Sequence, residues 1–184
     1  MRSALAVLVA TLLACTSGPT PDPPPPCDQL CLDGVAMLGM RLTLKQIFNQ
    51  TLQGGPVGKQ DAHYVCPLGG TAHVSGTATS NAVQGATEID LTYELDACVL
   101  LDRDTNPKGN YRLATSGTIK QVGTLAVQPT ATTALGMQSE ALTVTGTVYD
   151  PPVPYEQKAC KLVANQDGSK LTGTLCGRDF ATLL

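Results

Sequence analysis

The sequence has no tryptophan and only two phenylalanines, Phe48 and Phe180, in 184 residues. A hydrophobic core must therefore be built mostly from Leu, Val, Ala and Ile. Charged residues make up only 15% of the chain and hydrophobic residues 42%, which is typical of a folded domain rather than a disordered one. The net charge is −3 and basic residues do not cluster, which argues against a nucleic-acid partner.

Long hydrophobic runs are also missing. The longest apolar stretch, residues 4–13 (ALAVLVATLL), is too short to cross a hydrocarbon core of about 30 Å as a helix. Because Arg2 precedes it, the stretch is typical of the hydrophobic region of a signal peptide. We expect residues 1–14 to be this signal peptide.

The expected signal peptide ends at Ala14, and the sequence Leu12-Leu13-Ala14-Cys15 at this boundary resembles the lipobox of bacterial lipoproteins. The resemblance implies cleavage before Cys15 and lipidation of that cysteine, so that a membrane is the expected partner. Because Thr16 follows, the resemblance implies the outer membrane of a Gram-negative cell envelope. The composition also looks like that of uncharacterised Gram-negative envelope lipoproteins. The alternative is an ordinary signal peptide that ends beside a cysteine.

Residues 15–26 contain the lipidated cysteine and a proline-rich stretch, TSGPTPDPPPP, that has no core-forming residue. Such a sequence favours an extended, semi-rigid tether of roughly 30 Å. A proline motif that a partner domain recognises is the alternative. Residues 27–184 are then expected to form a single disulfide-stabilised domain.

Six cysteines remain in that domain, which in an exported chain indicates three disulfides. Alternating strands at 71–79 and 88–99 bring Cys66 close to Cys98, with an extra residue expected as a β-bulge at Gly69-Gly70. This bulge sets Val74 opposite Leu91. Cys160 and Cys176 flank a hairpin turn at 165–168. Cys27 and Cys31 are left to pair at the start of a helix. No metal site is expected from these cysteines, since their spacing is not that of metal ligands.

The fold class is expected to be α+β: one N-terminal helix packed on a curved antiparallel meander of five to six strands. The helix is predicted over Asp33–Leu52, with Val35, Leu38, Leu42, Leu44, Ile47, Phe48 and Leu52 on its apolar stripe. Later segments are rich in Thr and Val and are predicted to be strands. One of them, 111–127, places Tyr111, Leu113, Ile119, Leu125 and Val127 on one face.

A short Ser/Thr-Gly-Thr pattern places Gly76, Gly117, Gly146 and Gly173 on the apolar faces of their strands. One interpretation is a groove left open for an apolar ligand such as a lipid. The other is that glycines let the sheet bend and the helix approach. A helix on such a sheet resembles, in architecture alone, periplasmic carriers that hold acyl chains.

Candidate chemical groups are few. Asp61, His63 and His73 are expected to lie near one another, although as surface residues rather than as metal ligands. Glu88, Asp90, Glu94 and Asp96 form an acidic row that is expected on a solvated strand face. Asp102, Asp104 and Asn106 faintly resemble the start of a calcium loop but lack its Gly and Glu.

No catalytic motif is found in the sequence, so no catalytic residue, cofactor or metal is assigned. The leading hypothesis is a membrane-anchored envelope protein with a non-enzymatic structural or interaction role. The alternative is a carrier of an apolar ligand, which requires a cavity that the helix does not fill. An enzyme requires converging polar groups in a pocket.

Overall fold

The computed structural model describes residues 27–55, 57–81, 85–103, 109–128, 131–149 and 151–184. They form one α-helix and eight β-strands. The elements are α1 (Gln29–Thr51), β1 (Gly58–Val65), β2 (Thr71–Asn81), β3 (Ala86–Asp102), β4 (Tyr111–Ala126), β5 (Ala134–Val148), β6 (Val153–Asp167), β7 (Lys170–Leu175) and β8 (Arg178–Leu183).

The strands form one antiparallel sheet in which each strand pairs with the next along the chain. This confirms one helix on an antiparallel meander, but the prediction of five to six strands was wrong, because there are eight. The sequence gives little sign of the two edge strands. Burial alternates along both strands, but residue type does not follow it: Gln60 of β1 faces inward, whereas Val65 of β1 and Leu183 of β8 are exposed.

The helix begins at Gln29, earlier than the predicted Asp33. Asp28 caps it, since its carboxylate accepts a hydrogen bond of 2.9 Å from the backbone N–H of Cys31. The helix ends at Thr51, and the chain reverses at Gly54, which has a φ of +78°.

The sheet bends around α1. The helix contacts both edge strands, β1 and β8, as well as β3, β4 and β5. A flat eight-stranded sheet would be about 34 Å wide, whereas a helix is only about 10 Å across, so these contacts require a bend. The surrounding sheet buries Ala36, Met37 and Met40 in addition to the predicted Val35, Leu44 and Ile47. The predicted stripe residues Leu38, Leu42 and Phe48 are only partly buried.

The expected hairpin of β2 and β3 is present, but its register differs from the prediction. Val74 lies opposite Tyr93 rather than Leu91. Gly69 and Gly70 form the turn between β1 and β2 and do not make a bulge within β2. The same side chains nevertheless face inward as expected, because a shift of the pairing register by an even number of residues keeps each side chain on its face of the sheet.

Two bulges lie instead in β3 and β6, each just before a cysteine, and a third extra residue lies in β5 between Ser139 and Leu142. Ala97, before Cys98, has a φ of +45° and donates its N–H to Ser116 Oγ at 2.9 Å. Ala159, before Cys160, has a φ of +50° and donates its N–H to the Thr143 hydroxyl at 3.1 Å. These two bulges shift the strand registers beside the disulfides.

The three predicted disulfides, Cys27–Cys31, Cys66–Cys98 and Cys160–Cys176, are confirmed. All three lie toward the end of the sheet that contains the β1–β2 and β7–β8 turns and the start of α1. We call it the disulfide end. The opposite end, with the β2–β3, β4–β5 and β6–β7 connections and the end of α1, is called the cavity end.

Candidate functional site

A cavity of about 660 Å³ opens at the cavity end, between the C-terminal half of α1 and the sheet. This volume is typical of small-molecule sites, which range over about 300–1,000 Å³. Leu42, Leu44, Phe48, Leu52, Ala78 and Leu125 give it apolar walls. The helix therefore does not fill the whole space that the bent sheet encloses.

Four polar residues of the lining are buried: Arg41, Gln60, Gln121 and Gln166. Arg41 is 4% exposed, and its Nε donates a hydrogen bond of 2.5 Å to Gln166 Oε1. Gln121 is 1% exposed, and its Nε2 has no hydrogen-bond partner among the described residues. A buried donor without a partner is rare in a native protein, so Gln121 Nε2 is a candidate to bind a group that enters the cavity. The cavity is thus lined by apolar walls and hydrogen-bond donors.

Arg41 is buried without a counter-charge. Within the described part of the chain, no carboxylate lies within ion-pairing distance of its guanidinium. Burial lowers the pKa of Arg41, but a guanidinium keeps its proton at neutral pH. The lining of the cavity therefore includes a positive charge in an environment of low polarity.

Helical periodicity explains why Arg41 faces inward. It lies four residues after Met37 and three before Leu44, and both of these side chains are fully buried. Sequence reasoning missed it, because neither Met37 nor Arg41 was placed on the predicted apolar stripe; the helical spacing of Met37, Arg41 and Leu44 was the available signal.

Three exposed apolar residues surround the cavity opening. Val57, Val127 and Leu184 are 61%, 65% and 39% exposed, and all three line the cavity. Val127 was predicted to lie on the inner face of its strand; this was wrong, because β4 ends at Ala126. The opening therefore offers apolar contacts at its edge as well as inside.

The second buried charge of α1, Asp33, lies at the disulfide end and has several partners. It accepts hydrogen bonds from the Tyr155 hydroxyl at 2.7 Å, from Arg178 Nε at 2.8 Å and from Gln29 at 2.8 Å. Burial raises the pKa of Asp33, but these hydrogen bonds outweigh burial and the net pKa is lowered. Burial, and then Asp33, raise the pKa of Tyr155. Asp33 does not line the cavity.

The four glycines proposed as an apolar ligand face, Gly76, Gly117, Gly146 and Gly173, do not line this cavity. Each lies against the backbone of a neighbouring strand. A Cβ on Gly76 would come within 2.1 Å of the carbonyl oxygen of Asp90, and a Cβ on Gly146 would come equally close to the carbonyl oxygen of Arg112. Close strand approach thus accounts for these glycines, and a ligand at that face stays a prediction without support.

The structure brings Asp61, His63 and His73 together on the outer face of β1 and β2. Their possible ligand atoms, one from each residue, all lie within 4.8 Å of one another. A hydrogen bond to the Asp61 carboxylate, and then one to the Glu94 carboxylate, raise the pKa of His73, and the hydrogen bond from His73 lowers the pKa of Asp61. The expected proximity is therefore confirmed.

The acidic row is exposed, as expected. Glu88, Asp90, Glu94 and Asp96 all lie on the outer face of β3. Asp90 pairs with Lys120 at 3.3 Å, and Glu88 accepts a hydrogen bond from Thr124. In the 102–106 segment, Asp102 is exposed, whereas residues 104 and 106 lie outside the described residues.

The predicted signal peptide, Cys15 and the predicted tether also lie outside the described residues. Among the residues that are described, no helix combines the length and the apolar character needed to cross a bilayer. Comparisons with protein-family models, curated proteins and solved structures found no match to this chain. The functional argument therefore depends on the cavity and the clusters described above.

Proposed function

We propose that the chain is a bacterial lipoprotein of the Gram-negative envelope, anchored through Cys15, whose domain binds an amphipathic ligand with an apolar body and an anionic head. The observation that carries this proposal is the cavity that combines apolar walls with the buried guanidinium of Arg41. Neither a catalytic residue nor a cofactor is part of the proposal.

The anionic head follows from the electrostatics of Arg41. Burying a charge without a counter-charge is unfavourable by several kcal/mol, because the protein interior solvates it poorly. The hydrogen bond from Arg41 to Gln166 compensates only in part, since an amide carries no charge. A carboxylate or phosphate in the cavity would supply the missing charge, and Gln121 Nε2 would donate a second hydrogen bond.

The apolar body follows from the walls and the opening. Phe48, Leu52 and Leu125 offer hydrocarbon surface, and Val57 and Val127 extend it to the edge of the opening. Burial of a ligand chain against such a surface contributes about 25 cal/mol per Å² of apolar area. A purely structural or interaction role needs no such cavity, so this observation favours the carrier over the structural hypothesis.

The position of the cavity suits an anchored protein. The domain begins at Cys27, at the disulfide end, whereas the opening is at the far end of a 23-residue helix about 35 Å long. A tether that enters at the disulfide end would leave the opening directed away from the site of attachment. Ligand exchange with other envelope components would then not be obstructed by the anchor.

Intact-mass analysis of the protein extracted from its native membrane tests the anchor. We expect a species that begins at Cys15 and carries acyl chains, with the Cys15→Ser variant absent from the membrane fraction. A lipid-free mass that begins at another residue would contradict the lipoprotein assignment but would leave the cavity argument intact.

Titration with a dansyl-labelled long-chain fatty acid, and with its uncharged methyl ester, tests the ligand class. A charge-assisted hydrogen bond contributes about 1.5–3 kcal/mol, so we expect the acid to bind at least about tenfold more tightly. In Arg41→Met, the acid and the ester are expected to bind equally. Ser80→Trp, at the cavity opening, is expected to block both probes.

Thr79→Trp is the matched control for the blocking variant. Thr79 neighbours Ser80 on β2 but faces the opposite side of the sheet, so its replacement is expected to leave binding unchanged. Absence of saturable binding by either probe would overturn the proposal. Equal binding by wild type and Ser80→Trp would do the same, because the probe would then be elsewhere.

A further inference from the structure

Asp61, His63 and His73 form a cluster that the cavity does not involve. His63 on β1 lies directly opposite His73 on β2, and Asp61 is two residues before His63 on the same side of β1. Because side chains alternate along a strand, all three project from one face. It is the outer face, since Ala72 and Val74, on either side of His73, are buried toward the helix.

The cluster is already close to the geometry of a metal site. The imidazole rings stack with their centroids 4.5 Å apart, and His73 Nε2 lies 2.8 Å from Asp61 Oδ1. Bonds of about 2.0–2.1 Å to a tetrahedral zinc ion place two ligand atoms roughly 3.3 Å apart. The three groups lie within 4.8 Å of one another, so side-chain rotation alone brings them to that spacing.

Glu94 adds an independent observation. On β3, directly opposite His73, it places Oε2 3.2 Å from His73 Nδ1. A histidine that binds a metal commonly donates its second ring N–H to a carboxylate, which fixes the ring and its tautomer. Because Glu94 holds Nδ1 of His73, Nε2 of the same ring is directed toward Asp61. The ion would lie between this nitrogen and the Asp61 carboxylate.

We propose that Asp61, His63 and His73 bind one divalent transition-metal ion of the zinc class, with Glu94 as the positioning residue for His73. Imidazole and carboxylate ligands suit such an ion, and three protein ligands leave a coordination position for water or for a group of another molecule. The paired backbones of β1, β2 and β3 fix the spacing, so the site is largely formed before the ion binds.

Calorimetric titration of the tag-free, oxidised protein with Zn²⁺ at neutral pH tests the proposal, supported by the visible spectrum of the Co²⁺ form. We expect one ion per chain. Loss of a residue that only hydrogen-bonds a metal ligand typically lowers metal affinity about 10–100-fold. Loss of a ligand itself should cost no less, so His63→Ala and His73→Ala are each expected to weaken Zn²⁺ binding at least about tenfold. Glu94→Gln is expected to weaken it less, and to change the Co²⁺ spectrum through the orientation of His73.

Asp90→Asn is the matched control for charge, because it removes one carboxylate from the same outer face without touching the imidazoles. Cys15→Ser controls for binding to a thiol. Both variants are expected to bind Zn²⁺ as wild type does, and thermal unfolding would verify that all variants fold. No saturable Zn²⁺ binding in the micromolar range would overturn the proposal, as would unchanged binding by the double variant of His63 and His73.

Discussion

Asp33 and Arg41 are both buried charges of α1, but the two ends of the molecule surround them differently. At the disulfide end, Asp33 is fully buried and both of its carboxylate oxygens accept hydrogen bonds, including two from Arg178. At the cavity end, Arg41 is almost as buried, yet its one described side-chain hydrogen bond is to the amide of Gln166. One charge is neutralised within the fold, and the other is not.

The disulfides are also distributed unevenly between the two ends. Cys66–Cys98 joins the β1–β2 turn to β3, Cys160–Cys176 joins β6 to the β7–β8 turn, and Cys27–Cys31 closes the start of α1. The cavity end is instead lined by strand connections and the end of the helix. Disulfides and a satisfied buried charge are thus concentrated at one end, whereas the other end retains polar groups that a ligand can satisfy. Such a division is common in proteins whose binding site carries unfavourable groups.

Asp33→Asn gives the largest expected effect. The amide keeps the shape of the carboxylate but removes its charge, which leaves Arg178 without an ion-pair partner and replaces one acceptor oxygen by an NH2 group that faces hydrogen-bond donors. Breaking a buried pair in this way typically lowers the free energy of unfolding by about 3 kcal/mol. Urea denaturation of the oxidised protein measures this change.

Glu140→Gln is the control for that substitution. Glu140 pairs with Lys161 at 3.0 Å, but the side chains are 82% and 61% exposed, so the same chemical change is expected to alter stability by less than about 1 kcal/mol. If the two variants lost equal stability, the disulfide end would not depend on the burial of Asp33.

The pH dependence of stability should identify the same carboxylate, with a smaller effect. The pKa of Asp33 is lowered in the fold relative to its ordinary value of 3.8, so the folded protein binds that proton less readily than the unfolded chain does. Its contribution is therefore fully present above pH 3.8 and is lost as the pH falls through the folded pKa. Urea denaturation from neutral pH to pH 3 should show the wild type converging toward Asp33→Asn. Parallel curves would contradict this assignment.

Much of the disulfide end could be predicted from the sequence. Cys66–Cys98 and Cys160–Cys176 followed from strands and turns that place the cysteines near one another. The bulges were missed because they depend on Ala97 and Ala159 in positive-φ backbone, which alanine seldom adopts. Their only sequence signal is that each precedes a disulfide cysteine.

The cavity end was harder to predict. A helix that packs on a nearly flat sheet buries a single stripe of side chains. Such a pattern gives no reason to expect the charged side chain of Arg41 to be buried. Because the sheet bends around α1, residues on several sides of the helix become buried, and the helical period no longer separates inside from outside. The edge strands β1 and β8, which make that enclosure, have the weakest apolar pattern of all.

Arg41→Met and Arg178→Met make the same change at the two ends and should have different consequences. Methionine at position 178 leaves Asp33 buried without its cation, so we expect a loss of about 2–3 kcal/mol. Methionine at position 41 removes a buried charge that has no counter-charge and replaces it with apolar volume. Stability should then stay within about 1 kcal/mol of wild type or rise, because no ion pair is broken.

Urea denaturation of both variants without ligand, followed by titration with the dansyl-labelled fatty acid, separates the two roles. We expect Arg178→Met to be less stable but to bind the acid normally, since Arg178 does not line the cavity. We expect Arg41→Met to be stable but to lose its preference for the acid over the ester. A large loss of stability in Arg41→Met would mean that this guanidinium holds the fold together as Arg178 does. The two ends would then be alike, and the unsatisfied charge would no longer indicate a ligand.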